Sequence, residues 1–279
     1  MRRSKVIIIL LLLVLIAVFL VFTNRQAIMH TAKERVDLMG ECVPVLAYHG
    51  FTTKEAKEQY FADNKWIDDI GRFEKQMKYL HDNGWRTLTP DEFYQWYEGK
   101  LEIPEKTCMI TFDDGYYEMY YEVLPILEKY DFNAVVFLVG SYVPEVTDAY
   151  NSDQRHMIGW DKVKEVRDTY PEMSFESHSY DLHGHDAEGN ELWVNATAEQ
   201  LKNDFERNSA YGFRYIAYPY GGYNDTMLKA VKESDIKMAF AFKTPGYATR
   251  RSDIYRVPRQ KITAETSYDE FIEILEKTI

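Results

Sequence analysis

The chain has 279 residues, with 33 Lys and Arg against 45 Asp and Glu, for a net charge of −12. Residues 1–25 hold four bases (Arg2, Arg3, Lys5, Arg25) and no acid, which leaves residues 26–279 at −16 and excludes a broad nucleic-acid-binding face. Apolar content of 46% excludes a disordered chain, and two cysteines exclude a disulfide scaffold or a cysteine-rich zinc module.

From the N-terminus, Val6 to Phe22 is an unbroken run of 17 apolar residues, close to the length needed to cross a hydrocarbon core. Arg2, Arg3 and Lys5 precede it and Arg25 follows. This bias predicts a cytoplasmic tip, a transmembrane helix and an exported body. No small-x-small site follows Phe22, so residues 1–25 read as an uncleaved signal-anchor rather than a leader. The expected location is the cell membrane, single-pass, with the body outside. Residues 26–41 are polar and read as a stalk; residues 42–279 form the folded domain. Export permits a Cys42–Cys108 disulfide, and two separate buried thiols fit equally well. Nothing in the sequence sets an oligomeric state.

From Cys42 onward, short β-rich runs alternate with amphipathic stretches. The clearest strands are Val43–Tyr48, Thr107–Phe112, Ala134–Val139, Ser174–Ser177, Tyr215–Tyr218 and Met238–Phe242. Helices fall between them. Ile67–Asn83 stops at Gly84, which suits a left-handed C-terminal position. Thr89-Pro90-Asp91-Glu92 offers a cap, a first-turn proline and first-turn acids, and Thr197 with Gln200 makes a capping box. Asn224 caps Asp225–Glu233. The alternation predicts an α/β fold with a parallel sheet or barrel, whose chemistry lies at the C-terminal strand ends.

Three of those ends are unusual. Thr111-Phe112-Asp113-Asp114-Gly115 sets two acids side by side. Consecutive strand residues face opposite ways, so the pair shares a site only if the chain leaves the sheet there, which Gly115 permits. Ser177-His178-Ser179-Tyr180-Asp181-Leu182-His183 holds two histidines five apart, which converge on one ion only from a loop; His185 reads as a bystander. Tyr218-Pro219-Tyr220-Gly221-Gly222 is a turn. Together they offer two imidazoles and a carboxylate, a three-ligand site with a position left for water, beside a second carboxylate able to act as general base. Such equipment hydrolyses amides and esters.

At these residues the chain resembles the NodB-type polysaccharide deacetylases, carbohydrate esterase family four, over roughly residues 43–260. The resemblance implies a distorted (β/α) barrel and removal of acetyl from N-acetylglucosamine units of a polysaccharide. It implies Asp113 as general base, a divalent metal (zinc first) on Asp114, His178 and His183, and an oxyanion donor in the Tyr220 N–H. The five-residue histidine spacing is most similar to the subgroup acting on poly-β-1,6-N-acetylglucosamine, with peptidoglycan or a chitin-like glycan next. Two departures stand out. Many members carry an arginine two residues before the motif proline; here that position is Ala217, with Lys243, Arg256 and Arg259 as possible substitutes. The family's usual late histidine, source of the general acid, is absent, since no histidine follows His185. In the exopolysaccharide-type members an early histidine takes this part, and the resemblance implies His49, in Val45-Leu46-Ala47-Tyr48-His49, as the candidate general acid. Asp181 reads as a partner orienting an imidazole or as a loop cap. Tyr116, Tyr180, Tyr220, Tyr223 and Trp160 could stack on sugar rings. A catalytically inactive glycan-binding protein on the same fold is the competing reading, favoured by Ala217 alone.

Overall fold

Strand-forming runs of four to six residues, most buried on both faces, fold here as parallel strands separated by helices. The structure, a computed structural model, describes residues 42–278; the expected membrane segment and stalk lie outside the described residues. In chain order the strands are β1 (Val45–Tyr48), β2 (Gly50–Thr52), β3 (Ile67–Asp69), β4 (Arg86–Thr87), β5 (Thr107–Phe112) and β6 (Ala134–Leu138). They continue as β7 (Met173–Ser177), β8 (Tyr215–Ala217), β9 (Met238–Ala241), β10 (Val257–Pro258) and β11 (Gln260–Lys261). The main sheet runs β10-β9-β8-β7-β6-β5-β1-β11, with β4 on β5, and its pairs are parallel. Its two outer strands are consecutive in the chain, with Arg259 alone between them, so the sheet curls into a nearly closed barrel. β2 and β3 form a separate parallel pair.

Side-chain alternation divides the core. Val45, Met109, Val135, Phe137, Tyr215, Ala217, Met238, Phe240 and Val257 pack together inside the sheet. The alternate residues Leu46, Tyr48, Ile110, Phe112, Val136, Leu138 and Phe175 pack outward against helices. By the same parity Thr111 and Asp113 follow Met109, and Arg259 follows Val257, onto the inner face. Asp113 and Arg259 therefore meet at the barrel mouth.

The helices are α1 (Lys54–Tyr60), α2 (Ile70–Asp82), α3 (Pro90–Tyr97), α4 (Leu124–Tyr130), α5 (Trp160–Thr169), α6 (Leu192–Asn195), α7 (Ala198–Ser209), α8 (Asp225–Lys232) and α9 (Tyr268–Glu276). The cap expected at Thr89 and the capping box expected at Thr197 are both formed, Thr89 closing a full box with Glu92, and Asn224 caps α8. One expectation is corrected. Ile67–Asn83 is not a single helix: Ile67–Asp69 pairs with β2, and Asp69 caps α2 by accepting from the Gly71 N–H at 2.8 Å. Asp69 is the cap, so the helix starts after it. No disulfide joins Cys42 to Cys108. Among the described residues no helix is long and apolar enough to cross a membrane.

Candidate active site

The strand ends supply the site. β5 keeps its pairing with β1 as far as Asp113, whose N–H reaches the Tyr48 carbonyl at 3.0 Å. Asp114 (φ 73°) and Gly115 (φ 80°) then both enter the left-handed region, and the chain leaves the sheet. This turn separates the two acids from strand parity, so Asp114 swings to the mouth while Asp113 stays on the barrel's inner face. A Cβ on Gly115 would come within 2.5 Å of Leu138.

His178 follows β7, its N–H on the Leu138 carbonyl at 2.7 Å, and its Nδ1 lies 2.8 Å from the Ala217 carbonyl. A carbonyl only accepts, so Nδ1 carries a proton, and in the neutral ring it is Nε2 that presents the lone pair. That Nε2 faces Asp114 Oδ1 at 3.6 Å, and His183 Nε2 faces the same oxygen at 3.4 Å. The three donor atoms lie within 4.8 Å of one another, and no other such group of His, Cys, Asp and Glu occurs among the described residues. Two acceptors facing each other repel unless a cation stands between them. Two imidazoles and one carboxylate match the donor set of a hydrolytic zinc centre, so the residues fit the metal the resemblance implies. Burial, with His178 close by, pushes the His183 imidazole down to about 4, so it stays neutral and able to ligate at neutral pH.

Asp113 is 1% exposed. Burial alone would raise its pKa, but the Arg259 guanidinium more than offsets this and holds the carboxyl well below the usual range. Arg259 Nη1 and Nη2 reach the two carboxylate oxygens at 2.7 and 2.8 Å. Of the three cations open to replace the arginine missing at Ala217, Arg259 thus takes the place; Arg256 instead pairs with Asp253 at 2.8 Å. His49 Nε2 stands 3.9 Å from Asp113 Oδ2, and the imidazole lies 4.4 Å from the Trp66 ring. Its Nδ1 is buried without a hydrogen-bond partner, and burial lowers its proton affinity against the pull of Asp113. Tyr220 has φ 56° in a tight turn whose internal hydrogen bonds come from the Gly221 and Gly222 N–H groups, leaving the Tyr220 N–H outside them. Its ring packs 4.7 Å from His183.

His49, Asp113, Asp114, His178, His183 and Tyr220 line one pocket of about 290 Å³. Trp66, Arg155, Phe242 and Lys261 line it as well, though no motif in the sequence marks them. Arg155 stacks 3.4 Å above the Tyr116 ring, pairs with buried Glu118 at 3.2 Å, and occupies the space a side chain at Gly50 would need. Nothing local marks Arg155; only the fold brings residues 50, 118 and 155 together. Of the aromatics suggested for stacking, Tyr116 and Tyr220 line the pocket. Trp160 instead stacks on Tyr211 at 4.5 Å, Tyr180 lies under Arg207, and Tyr223 packs near Tyr218. The partner orienting His178 is the Ala217 carbonyl rather than Asp181. His185 stays outside the donor group and pairs through its backbone with Glu191.

Comparison with known proteins points to one family. The polysaccharide deacetylase family model matches residues 100–239. YxkH of Bacillus subtilis (strain 168), named as a polysaccharide deacetylase, is 28% identical over 232 residues, covering 82% of this chain and 74% of its own. A poly-beta-1,6-N-acetyl-D-glucosamine N-deacetylase of Staphylococcus aureus is 27% identical over 213 residues, covering 72% of this chain and 70% of its own. The solved structure of a de-N-acetylase from Aggregatibacter actinomycetemcomitans superposes with a TM-score of 0.69 at 25% identity, covering 83% of this chain and 99% of that one. The chain belongs to the polysaccharide deacetylase family.

Proposed function

We propose that the protein is a divalent-metal-dependent hydrolase that removes N-acetyl groups from N-acetylglucosamine residues of a cell-surface polysaccharide, poly-β-1,6-N-acetylglucosamine before peptidoglycan or a chitin-like glycan. The observation that carries it is the meeting of Asp114, His178 and His183 beside an ion-paired Asp113. The Staphylococcus aureus relative supports the polymer, and the apolar run Val6–Phe22 supports attachment at the outer face of the cell membrane.

Asp114, His178 and His183 would hold the cation, zinc by donor set, and its charge would acidify water and polarise the acetyl carbonyl. Asp113, kept anionic by Arg259, accepts the proton of the attacking water. The Tyr220 N–H donates to the oxygen on which negative charge gathers; one such donor is worth roughly 10²–10³-fold in rate. His49 is neutral at rest because burial lowers its proton affinity. The proton collected by Asp113 therefore passes to His49 across the 3.9 Å gap and from there to the departing amine. The competing reading, glycan binding without catalysis, draws on Ala217 alone, and the Arg259–Asp113 pair removes that support.

The test is acetate release from β-1,6- and β-1,4-linked N-acetylglucosamine oligomers, before and after chelation and with zinc restored. Wild type is expected to release acetate, fastest from the β-1,6 oligomer, and to lose this on chelation. Asp113→Asn and His49→Ala are each expected to lose roughly 10²–10⁴-fold in kcat with zinc content intact. Near-normal turnover in His49→Ala removes it from the proton path. No release from either oligomer, with zinc bound, restores the glycan-binding reading.

A further inference from the structure

His178 and His183 reach one cation only because the four residues between them fold back, and this segment has no secondary structure of its own. All four of its N–H groups are taken by side chains. Ser179 donates to Ser177 Oγ at 3.1 Å and Leu182 to Ser179 Oγ at 3.2 Å. The middle two go to one residue outside the segment: Tyr180 donates to Asp204 Oδ1 and Oδ2, both at 2.9 Å, and Asp181 to Asp204 Oδ2 at 2.9 Å. Asp204 projects from α7, is 4% exposed, and is itself held by Asn208 Nδ2 at 2.9 Å, one helical turn on. Ser179 sits at φ 70°, a conformation an isolated serine seldom adopts and that the surrounding bonds impose.

We propose that Asp204 is a positioning residue for the metal site: its carboxylate fixes the backbone of the His178–His183 loop so that both Nε2 atoms address the same cation as Asp114. This rests on the metal-hydrolase reading above. The carboxylate bonds to no imidazole and touches no reacting atom. It acts on the ligands through two peptide groups, as partners behind a metal's ligands do, and losing such a partner typically costs about 10–100-fold in metal affinity.

The experiment measures zinc affinity of the full-length protein in detergent by competition with a chromogenic chelator, alongside a thermal melt of the metal-free form. Asp204→Asn, which turns an NH₂ group toward the loop's own N–H donors, is expected to bind zinc about 10–100-fold more weakly. The control is Glu176→Ala. Glu176 is likewise buried and accepts the Arg214 and Tyr215 N–H groups at 2.7 and 3.0 Å, but it makes no bond to the loop. Removing the acceptor of both N–H groups is expected to lower the melting temperature and leave zinc affinity unchanged. Asn208→Ala, a milder change that loosens Asp204, is expected to weaken zinc binding less than Asp204→Asn does, and carries the test if Asp204→Asn does not fold. Wild-type zinc affinity in these loop variants, with melting temperatures lowered as in Glu176→Ala, would make Asp204 a plain structural anchor and overturn the proposal. Wild type binding zinc no better than Asp114→Asn would overturn the metal reading itself, and this proposal with it.

Discussion

Arg259 grips Asp113 with both terminal nitrogens from a position that no local pattern marks. Both side chains are fully or almost fully buried, so the pair stands or falls together. Removing one partner of such a pair strands the other charge, at a cost of roughly 3–5 kcal/mol. Arg259→Met is expected to show that loss in urea unfolding at pH 7, and Arg259→Lys, which keeps the charge but not the two parallel bonds, an intermediate one. The pH dependence has a fixed sign. Asp113 is held below its unfolded value of about 4, so its contribution is complete above that pH and is lost as pH falls below it. The gap between wild type and Arg259→Met should shrink at pH 3; an equal gap at pH 3 and 7 would contradict an ionic origin. At this scale the sequence is readable where chemistry is dense. Asp113, Asp114, His178 and His183 stand out because acids and imidazoles gather at strand ends. His49 was reached by resemblance. Arg259 was one of three open cations, because 146 residues separate it from its partner.

Turns and caps decide the next scale. The turn that presents Tyr220 depends on Gly221, at φ 70°, where an added Cβ would lie 2.4 Å from Phe242 Cβ and 2.7 Å from its backbone nitrogen. Gly84 has a nearly identical φ of 73° with nothing within 4 Å of an added Cβ. Both Ala variants bear the left-handed backbone cost of about 1–2 kcal/mol. Gly221→Ala also displaces the turn, so it should melt lower than Gly84→Ala and lose acetate-release activity, whereas Gly84→Ala keeps its kcat. Equal activity in the two would mean that the Tyr220 turn tolerates movement. Helix caps were legible because a cap is a contract between residues three apart, as at Thr89 and Thr197. The start of α2 was not: Ile67–Asp69 becomes a strand only because β2 lies beside it. That pair also matters to the site, since it carries Trp66 against His49.

Across the whole molecule, buried acids make stability depend on pH in a direction opposite to Asp113. Glu118 is 3% exposed, accepts from the Phe51 N–H and forms an ion pair with Arg155; burial pushes its carboxyl up to about 7 against the pull of Arg155. Its folded value lies above its unfolded one of about 4.3, so this group favours the fold below that pH and withdraws support as pH rises toward 7. Glu118→Gln has no such loss. The stability of the variant relative to wild type should therefore climb by roughly 2–3 kcal/mol between pH 4 and 8, read from urea midpoints; a flat difference would mean that Glu118 stays ionised throughout. The sequence by itself determined the α/β class, the main strands, the capped helices and the acids and imidazoles available for chemistry, because these depend on periodicity and on neighbours a few residues apart. Only the tertiary structure decided which distant groups share a charge or a hydrogen bond. Closing the barrel sets β10 and β11 on opposite edges with Arg259 between them, carries Arg155 over Gly50, and lays α7 beneath the histidine loop. Ion pairs and backbone clamps act over about 3 Å, and separations of that size between remote residues exist only once the sheet has curled.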